Sequence, residues 1–251
     1  MQKLQLEVPE FSVSFDRVAE VYDKTRRLPD NVMEELVRKL RCELKNYARV
    51  LDVGVGTGRF AQPLQRAGFE IVGIDISKKM IGKAKEKSVQ NLAIADARFI
   101  PFRDKSFDAS ISVHLLHLVS EWKKALREVC RVTRHSMFSL FYAREDIVRE
   151  RYYSIMKEHG YERHYAGKSE QDLGDSISPT KSTFVISYDV SADARITNLK
   201  QGTGSSQWKI PKQLNRRVVE QLRKEFAGKV YRQDLYLQSW EINSLKTFAE
   251  E

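Results

Sequence analysis

The sequence predicts an α/β protein with a mostly parallel sheet covered by helices on both faces, and three observations carry that expectation. Apolar runs suited to strands buried on both sides, Val50-Leu51-Asp52-Val53, Ile71-Val72-Gly73-Ile74 and Leu92-Ala93-Ile94, alternate with segments of helical spacing. The first run ends in Gly54-Val55-Gly56-Thr57-Gly58, where missing side chains let the backbone turn tightly and approach a ligand. Each of the three runs also carries an acid at or near its end, Asp52, Asp75 and Asp96. In a parallel sheet with right-handed crossovers, ligands sit beyond the carboxyl ends of the strands, where these acids would lie.

The elements follow in order. Phe15–Arg27 reads as a short helix with Val18, Val21 and Tyr22 inward. Pro29 and Asp30 start a second, with Val32, Leu36, Val37, Leu40 and Leu44 on one face. After the first strand a helix is expected from Thr57 to Ala67, stopped by Gly68, with its unpaired N–H groups and positive dipole end aimed at an anionic ligand group. Glu70–Asp75 reads as the next strand, then a helix from Ser77, its N-cap, to Lys87, then a strand over Asn91–Asp96. Ala109–Val113 forms a fourth strand, Glu121–Val132 a helix with Trp122, Leu126, Val129 and Cys130 inward, and Met137–Tyr142 a fifth strand. Residues 144–181 break the rhythm: a charged helix bearing Ile147, Tyr152, Ile155 and Met156 precedes a polar stretch holding His159 and His164. Two β-like runs, Thr183–Val190 and Val230–Ile242, flank a helix over Lys212–Phe226 with Leu214, Val218, Leu222 and Phe226 at i, i+4 spacing, and Thr203–Trp208 reads as a loop.

Composition narrows the function classes. The chain has 251 residues, 41% hydrophobic and 31% charged, which suits a globular α/β protein with a sizeable core. No segment approaches the roughly 20 apolar residues of a membrane span, and no secretory apolar stretch opens the sequence, so a cytoplasmic protein is expected. Cys42 and Cys130 have no metal or disulfide spacing, and two histidines five positions apart without a third ligand do not make a metal site. The net charge of +9 raises the question of a nucleic-acid partner. The lysines at 78, 79, 83, 85 and 87 and those on the Lys212–Phe226 helix read instead as solvated faces, for want of interleaved aromatics or a basic tail.

A dinucleotide fingerprint wants G-x-G-x-x-G, and the position of its third glycine is here Arg59, so NAD is not expected. The pattern Asp52-Val53-Gly54-Val55-Gly56-Thr57-Gly58, with Asp75 and Asp96 closing the next two strands, resembles motif I and its sequels in class I S-adenosylmethionine (SAM)-dependent methyltransferases. That resemblance covers residues 15–142. It implies a Rossmann-like seven-stranded sheet, mostly parallel with the last strand antiparallel, plus a small inserted cap. The implied organisation is one domain over 1–251, with a nucleotide-binding core at 15–142, a cap at 144–181, and strands and helix at 182–251 that complete the sheet. It implies SAM as cofactor and S-adenosylhomocysteine (SAH) as product. The implied cofactor residues are Tyr22, Arg27, Asp52, Gly54, Gly56, Thr57, Gly58, Asp75, Ile76, Met80, Asp96, Ala97 and His114. Asp75 would take the ribose hydroxyls, Asp96 with Ala97 the adenine, and Tyr22 with Arg26 or Arg27 the carboxylate end. His117, where the family places substrate chemistry, is the candidate general base, with Tyr152 or His164 behind it. The fourth strand lacks the Asn/Asp-Pro-Pro-aromatic motif of amino methylation, the Pro-Cys of cytosine methylation and an acidic pair. A small-molecule acceptor is expected. An RNA-directed methyltransferase and a SAM-binding subunit without chemistry are the alternatives.

Overall fold

The computed structural model describes residues 14–142, 146–163 and 165–250, with 182 and 183 by backbone only. Seven strands form one sheet: β1 (Arg49–Val53), β2 (Glu70–Asp75), β3 (Leu92–Ile94), β4 (Phe107–Val113), β5 (Thr133–Tyr142), β6 (Lys181–Ser191) and β7 (Val230–Glu241). Their order is β3-β2-β1-β4-β5-β7-β6, and only β7 runs against its neighbours. The chain proceeds outward from β1 to β3 and then returns to β4 on the other side of β1. Val53 therefore pairs with both Ile74 and Ser112, and these strand ends form the switch point beyond which open α/β sheets bind their ligands.

Helices cover both faces because the strands carry apolar side chains on both. On one side lie α1 (Tyr22–Arg26), α2 (Asp30–Leu44), α3 (Ala61–Arg66) and α4 (Lys78–Glu86); Leu36, Leu40, Leu64 and Ile81 of the last three pack with Val50, Ile71 and Ile111. On the other, α5 (Trp122–Val132) packs Leu126 and Val129 against Leu51, Val53 and Val72. Strand alternation puts Asp52 on Val50's side.

The first helices differ from expectation. Phe15–Arg27 is divided into a 3₁₀ turn over Asp16–Val18 and the five-residue α1. The helix expected from Thr57 begins only at Ala61, because Gly56 and Gly58 sit at φ +56° and +72°, outside the right-handed helical region.

The expected cap at 144–181 does not keep to those bounds. Its helix α6 (Ile147–Glu158) packs Tyr152, Ile155 and Met156 against α8 (Ala192–Gln201) and α9 (Lys212–Phe226) in a cluster of its own. Asp146 ties the unit together: it accepts from Arg149 N at 3.0 Å and from the Tyr231 hydroxyl at 2.7 Å, and pairs with Arg195 at 2.7 Å. The intervening α7 (Glu170–Ser176) joins the main core, where Leu173 meets Trp240 beside α10 (Ile242–Glu250). Helices α7, α8 and α10 are additions to the sequence reading. No helix among the described residues is long and apolar enough to cross a membrane.

Candidate active site

The glycine loop is latched to β2: Gly54 N and Val55 N both donate to the Ile74 carbonyl at 2.9 Å. Gly54, Gly56 and Gly58 all have positive φ, but their missing side chains serve two ends. A Cβ on Gly54 would meet Leu115 at 2.9 Å, and one on Gly58 would meet Val89 at 2.6 Å, so these two permit close packing. At Gly56 the nearest atom is the Gly54 carbonyl at 4.0 Å, so its bare face looks into open space beside the strand ends.

Two acids line that space. Asp75 accepts from Gly56 N at 2.9 Å and Ser77 N at 2.8 Å, and burial raises its pKa against those hydrogen bonds. Asp52 is 4% exposed and its carboxyl accepts no hydrogen bond from the described residues. Burial first, and the Asp75 charge second, push it up to about 7.

The N-terminal segment folds over the loop. Asp23 accepts from the Thr57 hydroxyl at 2.5 Å and pairs with Lys87, while the Arg59 guanidinium donates to the Arg26 carbonyl. Tyr22 packs edge-on to Phe15 at 5.9 Å, in a cluster with Val18, the buried Met80 and Trp208. Met80 N is capped by Ser77 Oγ, which itself donates to Asp16. Ile76, next in sequence to Asp75, is 38% exposed, and Ala97 is buried in the sheet's second core.

Two expected residues are otherwise engaged. Arg27 follows the last residue of α1 in an extended conformation, and its guanidinium turns outward to Asp30 at 2.8 Å, with both side chains mostly in solvent. Arg26 is the arginine directed inward, with its Nη2 near Gly204. Asp96 is gripped by Arg98, whose Nη2 lies 2.7 Å from one oxygen and whose backbone N lies 2.9 Å from the other. Burial would raise the Asp96 pKa, yet the Arg98 hydrogen bonds hold it below the ordinary carboxylate value.

The loop after β4 carries both histidines. His114 adopts φ +56° and stacks on Tyr142 at 5.0 Å. The His117 ring meets Tyr165 edge-on at 5.0 Å, and its carbonyl accepts from Ala166 N and Gly167 N. Burial, then Arg149, Arg163 and Arg26, lower the His117 pKa to about 3. It is a neutral ring and a weak base at physiological pH. His164 lies outside the described residues, and the Tyr152 hydroxyl is used structurally, donating to Asn215 at 2.6 Å and accepting from Gln207.

Glu170 organises this loop from beneath. It is 1% exposed and accepts from Ser112 Oγ at 2.9 Å, Leu115 N at 2.7 Å and Leu116 N at 3.1 Å. Sequence reasoning missed it, although Ser169 and Asp172 form a capping box that marks the start of α7. It also missed Arg149, Tyr153, Arg163 and Tyr165, which the fold gathers around His117 and which have no sequence motif in common.

Two open depressions elsewhere, one beside Tyr47 and His135 at the amino edge of the sheet and one along α2, lie away from these groups. Among the described residues no cluster of histidine, cysteine and acids could hold a metal ion.

Comparison with known proteins agrees with this geometry. Residues 51–138 match the model of the methyltransferase domain family. An uncharacterized protein of Methanocaldococcus jannaschii is 37% identical over 129 residues, 51% of this chain and 49% of that one. A demethylmenaquinone methyltransferase of Renibacterium salmoninarum is 37% identical over 130 residues, 50% of this chain and 54% of that one, so the chain spans about half the length of these relatives. Among solved structures, a SAM-dependent methyltransferase from Thermotoga maritima superposes with a TM-score of 0.53 at 19% identity, covering 90% of this chain and 97% of that one. Residues 51–138 thus match a methyltransferase domain, and the seven-stranded sheet around them has the fold of that solved structure.

Proposed function

We propose that this protein transfers the methyl group of SAM to a small-molecule acceptor. The observation that carries the reading is the open cradle at Gly56, beside the half-buried Asp75 that accepts from its N–H and the buried Asp52. When bound, SAM supplies an electrophilic methyl carbon: an acceptor lone pair bonds to it as the S–CH3 electron pair returns to sulfur, leaving SAH. The protein's contribution is chiefly orientation and exclusion of water.

Asp75 has lone pairs beyond those used by Gly56 N and Ser77 N, and these accept the ribose hydroxyls. Ile76 and Ala97 flank the adenine, and with Asp96 engaged by Arg98, the Ala97 backbone is the better reader of the ring edge. Asp52 faces the positively charged methionine end, and Arg26, in the place expected of Arg27, takes its carboxylate. The Thr57–Asp23 hydrogen bond and the Tyr22–Phe15 contact would hold α1 over the cofactor. His117 serves as a neutral wall beside the transferred methyl, and an acceptor proton leaves to solvent. The relative from Renibacterium, named for a quinone-type acceptor, supports a small molecule over RNA.

Asp75→Ala is expected to weaken SAH binding by about 1.5–3 kcal/mol, the scale of a charge-assisted hydrogen bond. Calorimetry checks this, with the melting midpoint read alongside. An unchanged affinity would remove Asp75 from the site.

A further inference from the structure

A continuous string of side chains runs from α6 to the carboxyl end of β4. The Arg149 guanidinium lies 5.9 Å from the Tyr153 ring centre, and Arg163 lies 4.9 Å from the same ring and 4.6 Å from that of Tyr165. Tyr165 in turn touches His117. The two arginines thus share an aromatic floor at the place where an acceptor would meet the methyl group.

Among the described residues no carboxylate pairs with Arg149 or Arg163, and Arg163 Nε is buried without a hydrogen-bond partner. Of the two acids whose charges reach Arg163, Glu150 is exposed and Asp146 is taken by Arg195 at 2.7 Å. Arg149 also stands in the first turn of α6, where the helix dipole disfavours a cation. Arg26 and Arg59 add two more positive charges next door. A fold gathers like charges in a half-buried cleft at a cost in stability, and an oxyanion is the ligand that offsets it. SAM does not, since its sulfonium and ammonium outweigh its carboxylate and it enters with a net positive charge.

Resting on the methyl-transfer reading above, we infer that the acceptor is a small anion whose carboxylate or phosphate oxygens are held by Arg149 and Arg163 over the rings of Tyr153 and Tyr165. The electrostatics agree: burial and then the Arg149 charge pull Arg163 down to about 10, and an anion between them relieves both.

The full-length protein saturated with SAH, titrated calorimetrically with benzoate, phenyl phosphate, benzamide and benzylamine, tests this. Benzoate or phenyl phosphate should bind, with affinity falling as salt rises, and the better of the two identifies the oxyanion class. Arg149→Gln and Arg163→Gln should each weaken that binding at least tenfold without altering SAH affinity, while Arg163→Lys should keep part of it. Benzamide or benzylamine binding as tightly as the anions, or anion binding that survives both substitutions, would overturn the proposal. The same titration on ligand-free protein separates the two claims: anion binding without SAH binding would contradict methyl transfer while leaving the arginine site standing. Circular dichroism identifies any variant that does not fold, and for such a variant the lysine substitution decides.

Discussion

Asp52→Asn is expected to stabilise the ligand-free protein above pH 7 and to loosen its hold on SAM. The Asp52 carboxyl is buried on the α2–α3 side of β1 with no hydrogen-bond donor from the described residues, and burial together with Asp75 raises its pKa to about 7. In the unfolded chain the same group titrates near 3.8. Between those values the folded state holds a proton that the unfolded state has released, so stability from this group is fully present below pH ~4 and is lost as pH rises through about 7. At ~1.4 kcal/mol per pH unit, the ionised carboxylate costs up to about 4 kcal/mol above that range. Asparagine, always neutral, should recover most of this at pH 8 and almost none at pH 4, as read by denaturant unfolding. A buried acid kept at such a cost has a use when a positive ligand arrives, and the same variant should bind SAM more weakly. A gain in stability that is equal at both pH values would show that Asp52 is not titrating as described.

Glu170→Ala should be the most destabilising change at the acceptor side of the site. It strands the buried donors Ser112 Oγ and Leu116 N and the part-buried Leu115 N, each worth about 1–3 kcal/mol when left unsatisfied, and a total loss of about 3–5 kcal/mol is expected once some water enters. The effect should spread to cofactor binding, because Glu170 fixes the loop on which Leu115 packs against Gly54 and His114 keeps its left-handed backbone. Glu170→Gln retains an acceptor oxygen and should lose far less. Thermal unfolding and SAH titration of the pair check this; equal behaviour of the two variants would place the importance of Glu170 in packing volume, not in its hydrogen bonds.

The contrast between these two acids shows what the sequence discloses. Asp52 and Asp75 are legible because strand, glycine turn and strand-end acid are local patterns repeated at regular spacing. Helix α4 is legible for the same reason, its N-cap Ser77 accepting from Met80 N at 3.1 Å as expected. Glu170 is contributed from a distant segment through a single buried side chain, and no periodicity announces such a contact. Arg26 and Arg27 are adjacent, and which of them points inward depends on α1 ending at Arg26. Helices α8 and α10 each follow a strand without a glycine or proline break, so Ile242 reads as the end of β7. The arginines around His117 come from the first turn of α6, the segment before α7 and the end of α1. Only the fold brings them together, and with burial they lower the His117 pKa.

The central claim is that the glycine loop holds SAM. Calorimetric titration of the intact protein with SAM, SAH and NAD tests it most directly. The account predicts that SAM and SAH bind, and that at about 100 times the dissociation constant either stabilises the fold by roughly 2.7 kcal/mol, while NAD does neither. Binding of NAD with no response to SAM or SAH would contradict it.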